Sequence, residues 1–186
     1  MIDLFDKVGF VGSYREEYTE FYRPLFNSEE ELNNFFVQIF TNDDVDKTPR
    51  RMMNQIQRFV SLANDIEQIR LGSDALRVVF LRTCIESLCK LVNKDDEDKE
   101  KADKSHFFSE YLEEEDIKYI LENFVFTGLI PNENMDEKEQ MLFDTKRNYA
   151  LTIDDFGMIM FKVRGMVVHE GDYWSMQFFG RDNEYG

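Results

Sequence analysis

Apolar residues recur at intervals of three and four along most of the chain, which is the spacing of a helix with one buried face. The pattern is clearest in two segments, with apolar positions at Met52, Ile56, Phe59, Ala63 and Ile66, and at Val78, Leu81, Ile85, Leu88 and Val92. It recurs at Leu32, Phe35, Phe36 and Ile39, and at Phe156, Met160, Val163 and Val167. Only 3 Pro and 9 Gly interrupt the chain. The sequence therefore predicts an all-α fold, an up-and-down helical bundle of about five main helices with a short irregular C-terminal tail.

Start and stop signals divide this pattern into elements. Ser28 opens a helix with a capping box, and Thr48 followed by proline opens the next. Thr152 caps the last long helix, which we expect to stop at Gly171. These boundaries predict an N-terminal helical extension (residues 1–48), a helical bundle (49–172) and a C-terminal tail (173–186).

The remaining segments predict a connection, two shorter helices and the C-terminal tail. Residues 93–104 are almost entirely charged and predict a mobile connection, followed by a short helix from Ser105. A further helix is expected from Glu113 to about Phe126. The aromatic tail over 173–179 is compatible with either a short strand or a packed extension.

The charge of the chain limits the partners that it can bind. Asp and Glu number 38 against 22 Lys and Arg, which gives a formal net charge of −16. Broad phosphate binding requires a surplus of basic residues to displace counterions. The charge therefore argues against a DNA-binding module, and an RNA-binding role would need a local basic patch, a transient substrate or a partner chain.

Several familiar kinds of site are absent from the sequence. It has no Gly-rich phosphate loop, no paired-cysteine zinc motif and no His-Glu-x-x-His helix, so we expect no metal and no cofactor. Cys84 and Cys89 lie five positions apart on one predicted helix, about 140° around its axis, so we expect buried free thiols. No apolar run approaches the ~20 residues of a membrane span, and the N-terminus resembles no secretory signal, which predicts a cytoplasmic protein without membrane contact.

The last long helix carries the candidate chemistry. It contains Arg164 and, five residues later, His169, which is one of only 2 histidines in the chain. An arginine can hold a phosphate, and a histidine can move a proton near neutral pH. On a regular helix the two side chains point about 140° apart. They converge only if the helix ends or distorts near His169, or if a second copy of the chain completes the site.

A purely structural interpretation of the same two residues is also available. Arg164 would then make a salt bridge, and His169 would lie at the carboxyl end of the helix, where a positive charge is favoured by the helix dipole.

The arrangement Arg-x-x-x-x-His near the end of the last long helix resembles the HEPN superfamily. The stretch Cys84-Ile85-Glu86-Ser87-Leu88 is similar to the A-x-E-x-L stretch common on an earlier helix of that family. The resemblance covers roughly residues 50–172. It departs from the family pattern at Gly165, where family nucleases usually have Asn, Asp or His.

The resemblance implies a homodimer in which two Arg–His pairs face each other, and a metal-independent endoribonuclease of the bacterial toxin or defence type. Arg164 would neutralise the scissile phosphate, and His169 would act as general acid or base, leaving a 2′,3′-cyclic phosphate. Glu86 is expected to pair with Arg164, and Glu170 to lie beside the site. RNA is the expected substrate, and an antitoxin is an expected kind of protein partner.

The alternative function is a catalytically inactive HEPN-like dimeric binding or scaffold protein. In that case the Arg–His pair ties the dimer together, and the acidic surface serves a protein partner. The two functions differ in the side chains expected around Arg164. A basic cleft would favour the nuclease and an acidic rim would favour the scaffold; the residues concerned are Lys146, Arg147 and Lys162 for the cleft, and Glu170 and Asp172 for the rim.

Overall fold

The computed structural model describes residues 12–41, 45–69, 74–123, 125–127, 137–143, 150–170 and 177–179. The helices are α1 (Gly12–Tyr22), α2 (Glu29–Thr41), α3 (Thr48–Ile69), α4 (Asp74–Val92), α5 (Glu97–Tyr111), α6 (Glu114–Asn123), α7 (Glu137–Phe143) and α8 (Ile153–Glu170), and a 3₁₀ turn (Arg23–Leu25) follows α1. Two three-residue strands, β1 (Val125–Thr127) and β2 (Gln177–Phe179), pair antiparallel. The protein is an all-α helical bundle, as its apolar spacing predicts. Within these ranges no helix is both long and apolar enough to cross a membrane.

The chain divides into two compact units, Met1–Arg58 and Phe59–Gly186. The division falls inside α3. The reason is that the first turns of α3 belong to the N-terminal core: Met53 is buried there, and the Tyr22 hydroxyl donates a 2.7 Å hydrogen bond to the Met53 carbonyl oxygen.

The core of the N-terminal unit is built mainly from aromatic side chains. The Tyr22 ring meets Phe36 edge-on, with 6.2 Å between ring centroids, and tilts against Phe35 at 5.4 Å. Helix α2 begins with the predicted capping box, since the backbone N–H of Glu31 donates to Ser28 Oγ at 3.2 Å. The buried members of this core are Tyr18, Tyr22, Leu32, Phe36, Ile39, Phe40 and Met53.

Helix α8 is the central element of the C-terminal unit, where it packs against α4 and α5. Its predicted apolar face is confirmed, because Phe156, Met160 and Val163 are buried and Val167 packs against them. The ring of Phe108 on α5 meets Phe156 edge-on at 5.1 Å. The buried members of this core are Ala75 and Val78 on α4, Leu142 on α7, and Phe156, Ile159, Met160, Val163 and Met166 on α8.

The start of α8 is fixed by the predicted cap. Thr152 Oγ1 accepts a hydrogen bond from the backbone N–H of Asp155 at 3.1 Å, and the backbone N–H of Thr152 donates to Asp155 Oδ2 at 2.9 Å. From this cap the helix continues to Glu170, so one helix carries both Arg164 and His169.

Two predicted segments differ from the structure. The connection expected over 93–104 is largely helical, because α5 begins at Glu97 after Asp96, whose side chain accepts a hydrogen bond from the backbone N–H of Lys99 at 2.9 Å. The helix expected to reach Phe126 ends at Asn123. Residues 125–127 instead form β1 and pair with β2 in the tail, with Phe126 opposite Phe178. This pairing joins segments far apart in sequence, so local pattern does not reveal it.

The buried face of α8 predicts a large effect of Ile159→Ala. Ile159 is 0% exposed within the core of the C-terminal unit, and truncating such a side chain costs about 2–5 kcal/mol of unfolding free energy because a cavity is left. Ile69→Ala is the matched control, since Ile69 is 77% exposed on the same unit and should change stability by less than about 0.5 kcal/mol. Urea unfolding followed by circular dichroism measures both, and similar losses would contradict the assigned core.

Candidate functional site

The packing of α4 against α8 brings Glu86 and Arg164 together, although they lie far apart in sequence. Arg164 Nη2 lies 3.6 Å from Glu86 Oε2, and the two side chains are 29% and 23% exposed. The structure therefore contains the ion pair that the sequence analysis expected of these two residues. Partial burial makes it a stronger interaction than an exposed pair, because solvent screens it less.

A second arginine, Arg82, approaches the same carboxylate from within α4. Its Nε lies 3.4 Å from Glu86 Oε1, one helical turn away, and its side chain is only 3% exposed. The guanidinium also lies against the Phe161 ring of α8, 5.3 Å from the ring centroid. Two arginines thus share one carboxylate, and this group of Arg82, Glu86 and Arg164, here called the arginine–glutamate cluster, carries one net positive charge.

The electrostatics of the cluster follow from its burial. Burial lowers the pKa of Arg82 below its ordinary value, the Glu86 carboxylate opposes this shift, and the charge of Arg164 adds to it. Three buried guanidinium nitrogens, Arg82 Nε and Nη1 and Arg164 Nε, have no hydrogen-bond partner within the part of the chain that the structure describes. The cluster therefore has more donors than one carboxylate can satisfy.

Arg82 was not among the residues that the sequence predicted for this site. The predicted apolar face of α4 included Val92, which is 52% exposed, whereas Arg82 is buried between the predicted core positions Val78 and Ile85. The sequence does indicate that Arg82 can pair with Glu86, since the two have the i, i+4 spacing at which opposite charges meet on a helix. That spacing is common on exposed helix faces, so it did not indicate that Arg82 is buried.

His169 lies in the last turn of α8 and is exposed. The helix continues through His169 to Glu170, so it does not end early enough to redirect this side chain toward Arg164. Within one chain the two residues keep the angular separation of about 140° that a regular helix gives them. The sequence allowed Arg164 and His169 to converge either through an end or distortion of the helix near His169 or through a second copy of the chain. The second copy is the possibility that remains.

An exposed apolar stripe separates Arg164 from His169. Phe161 is 53% and Val168 50% exposed, and together with Gly165 they occupy a sector of about 60° on α8. Arg164 borders this stripe on one side and His169 on the other, each by about 40°. A Cβ atom built on Gly165 would meet nothing within 4 Å, so the space beside this glycine is open.

A basic cleft around Arg164 would favour the nuclease, and an acidic rim would favour the scaffold. The structure describes only some of the side chains that would form either one. Lys162 is half-buried on α8. Glu170 is the last residue of that helix, but its side chain, like Lys146, Arg147 and Asp172, lies outside the described residues. Within the described ranges, no three His, Cys, Asp or Glu side chains lie close enough together to hold a metal ion.

Cys84 and Cys89 are both buried, and no disulfide joins them, as predicted. Burial raises the pKa of the Cys84 thiol to about 11, because the thiolate is poorly solvated in the protein interior. Such a thiol is a weak nucleophile at neutral pH, which favours a packing role for Cys84.

The chain matches no protein-family model, no curated protein and no solved structure. The resemblance to the HEPN superfamily therefore rests on the residues quoted above and stays a prediction.

The raised pKa of Cys84 predicts slow alkylation in the folded protein. At pH 8, three units below a pKa of about 11, roughly one thiol in a thousand is ionised. Iodoacetamide should therefore label Cys84 far more slowly in buffer than in guanidinium chloride, where the thiol regains its ordinary pKa. Peptide mass spectrometry follows the site, and glutathione under both conditions controls for reagent activity. Equal labelling rates would show that Cys84 is accessible in the native protein.

The arginine–glutamate cluster predicts that Glu86→Lys is strongly destabilising. The change removes the shared carboxylate and places a third positive charge beside buried Arg82, so unfolding free energy should fall by at least about 2 kcal/mol. Glu122→Lys is the matched control, because Glu122 forms an exposed pair with Lys118 on α6 and should cost less than about 1 kcal/mol. A Glu86→Lys protein as stable as the control would show that the cluster is not formed in solution.

Proposed function

We propose that this protein is a HEPN-like, metal-independent endoribonuclease of the bacterial toxin or defence type, with a site completed by a second copy of the chain. The supporting observation is the placement of Arg164 and His169 on opposite borders of one exposed apolar stripe. One chain alone does not bring them together, whereas a partner packed on the stripe would supply the missing residue.

Symmetry supports this arrangement. Two α8 helices can pack in parallel through their stripes, related by a two-fold axis that runs along the helices. The two-fold rotation exchanges the two borders of the stripe. The Arg164 border of one copy therefore lies beside the His169 border of the other. The stripe offers Phe161 and Val168 as apolar contacts. Gly165, with open space beside it, permits close approach of the two helices, and this would offset its cost of ~1 kcal/mol within a helix.

The proposed chemistry uses the two residues as a phosphate ligand and a proton carrier. Arg164 binds the scissile phosphate and stabilises the negative charge that grows on it. His169, exposed at the helix end, takes the proton from the RNA 2′-hydroxyl or gives one to the leaving 5′-oxygen. Attack of the 2′-oxygen on phosphorus breaks the bond to the 5′-oxygen and leaves a 2′,3′-cyclic phosphate.

The charge of the chain shapes how such an enzyme would meet RNA. With a net charge of −16, the surface as a whole repels the substrate, and binding depends on local groups such as Arg164. A transient substrate is compatible with this, and a protein partner of the antitoxin kind would have the acidic surface available to it.

The second candidate function is an inactive HEPN-like dimeric scaffold. It is favoured by one observation, the ion pair of Arg164 with Glu86, since an arginine held in this way already has a structural role. The acidic surface would then serve a protein partner, and the apolar stripe would still form the dimer contact.

Complementation of two inactive variants tests the shared site. Arg164→Ala and His169→Ala should each abolish RNA cleavage in excess EDTA. When the two are unfolded together and refolded at equal amounts, half of the dimers are mixed, and each mixed dimer has one intact site, so about a quarter of wild-type activity should return. Cleavage products are analysed for the 2′,3′-cyclic phosphate.

The outcomes of this experiment separate the alternatives. Both variants must first be folded dimers by circular dichroism and light scattering. If each variant is inactive and mixing restores nothing, the two residues act within one chain and the shared site is wrong. If folded wild-type dimer cleaves no RNA, the scaffold becomes the better-supported function.

A further inference from the structure

The arginine–glutamate cluster has a charge imbalance that the ion pairs alone do not explain. Two guanidinium groups face one carboxylate, and Arg82, which is only 3% exposed, keeps Nη1 buried without a hydrogen-bond partner in the described part of the chain. Burying an incompletely paired charge is costly, and such charges persist where an anion or another partner completes them. The imbalance therefore points to an anionic ligand.

The position of Glu86 shows where such a ligand would bind. Its two carboxylate oxygens are divided between the arginines, with Oε1 at 3.4 Å from Arg82 and Oε2 at 3.6 Å from Arg164. Both distances are longer than the 2.7–2.9 Å typical of a strong charged hydrogen bond. A single small anion between the two guanidinium groups could satisfy both more fully than this side chain does.

We propose that the place of the Glu86 carboxylate, between Arg82 and Arg164, is a phosphate-binding site that a phosphate group enters by displacing Glu86. A phosphate offers more acceptor oxygens and more negative charge than a carboxylate. It can therefore accept paired N–H hydrogen bonds from two guanidinium groups at once. The choice of phosphate as the anion rests on the proposed nuclease function. In this site Arg82 is a second phosphate ligand beside Arg164.

The route to this site follows from exposure. Arg82 is enclosed, but Glu86 and Arg164 are 23% and 29% exposed, so the carboxylate lies at the solvent side of the cluster. When the Glu86 side chain rotates outward, the phosphate occupies the volume that it leaves.

The proposal predicts that removing the negative charge of Glu86 strengthens phosphate binding. Glu86→Gln keeps the size of the side chain but no longer competes as an anion, so inorganic phosphate, titrated by calorimetry, should bind several-fold more tightly than to wild type. Adding Arg82→Met to this variant should remove the gain. Where that double variant fails to fold, Arg82→Lys, which keeps the charge but loses the planar fork, should remove most of it.

Glu122→Gln is the matched control. It makes the same change in net charge and releases Lys118 from an exposed ion pair with 3.8 Å between Nζ and Oε1. It should leave the phosphate affinity as in wild type. Equal tightening in Glu86→Gln and Glu122→Gln would show a general charge effect and would overturn the site, as would no tightening in folded Glu86→Gln.

Binding of a second ligand tests the phosphate site independently of the proposed nuclease activity. A single-stranded DNA oligonucleotide lacks the 2′-hydroxyl and is not cleaved, so its binding reports on phosphodiester recognition alone. Tighter binding of both ligands by Glu86→Gln supports a site for nucleic-acid phosphate. Tighter binding of inorganic phosphate alone supports the site, assigns it to free phosphate and counts against the nuclease. RNA cleavage by wild type without any change in Glu86→Gln would support the nuclease and overturn the inference.

Discussion

The packing of α4 on α8 is the constraint on which the C-terminal unit depends. It buries Val78 of one helix against Ile159 and Val163 of the other, and the same contact brings Glu86 of α4 to Arg164 of α8. Because apolar burial fixes how the two helices meet, the charged residues at the edge of the contact have little freedom to choose partners. The ion pair is therefore positioned by the core rather than being its cause.

Arg82 makes this arrangement unusual for a helix contact. A guanidinium at 3% exposure normally requires full pairing, and here it shares one carboxylate with a second arginine and rests on an aromatic ring. In a chain of net charge −16, this leaves a small positive centre inside a largely negative molecule. Such a centre would attract one phosphate at short range, while the net negative charge of the chain opposes the binding of a long nucleic acid. The electrostatics thus favour a local and selective interaction over general RNA affinity.

The two halves of the proposed chemistry differ in how they are held. Arg164 is paired with Glu86 and partly buried, whereas His169 is exposed in the last turn of α8. Only the apolar stripe of Phe161, Gly165 and Val168 connects them on the surface. A partner on that stripe would bury apolar area and bring an arginine and a histidine from different chains together, so association and site formation would be a single event. The open space beside Gly165 on this stripe would allow the partner to approach closely.

The sequence by itself determined the helical class, the buried face of α8 and the caps at Ser28 and Thr152. These follow from local periodicity and local hydrogen bonding, whereas the pairing of Glu86 with Arg164 was a hypothesis that only the packing of two distant helices could decide. Only the tertiary structure decided that Arg82 is buried while Val92 is exposed, because the i, i+4 spacing of Arg82 and Glu86 fits an exposed face equally well. It alone revealed that Val125–Thr127 pairs with Gln177–Phe179, since strand pairing depends on contacts between distant segments that no local pattern encodes.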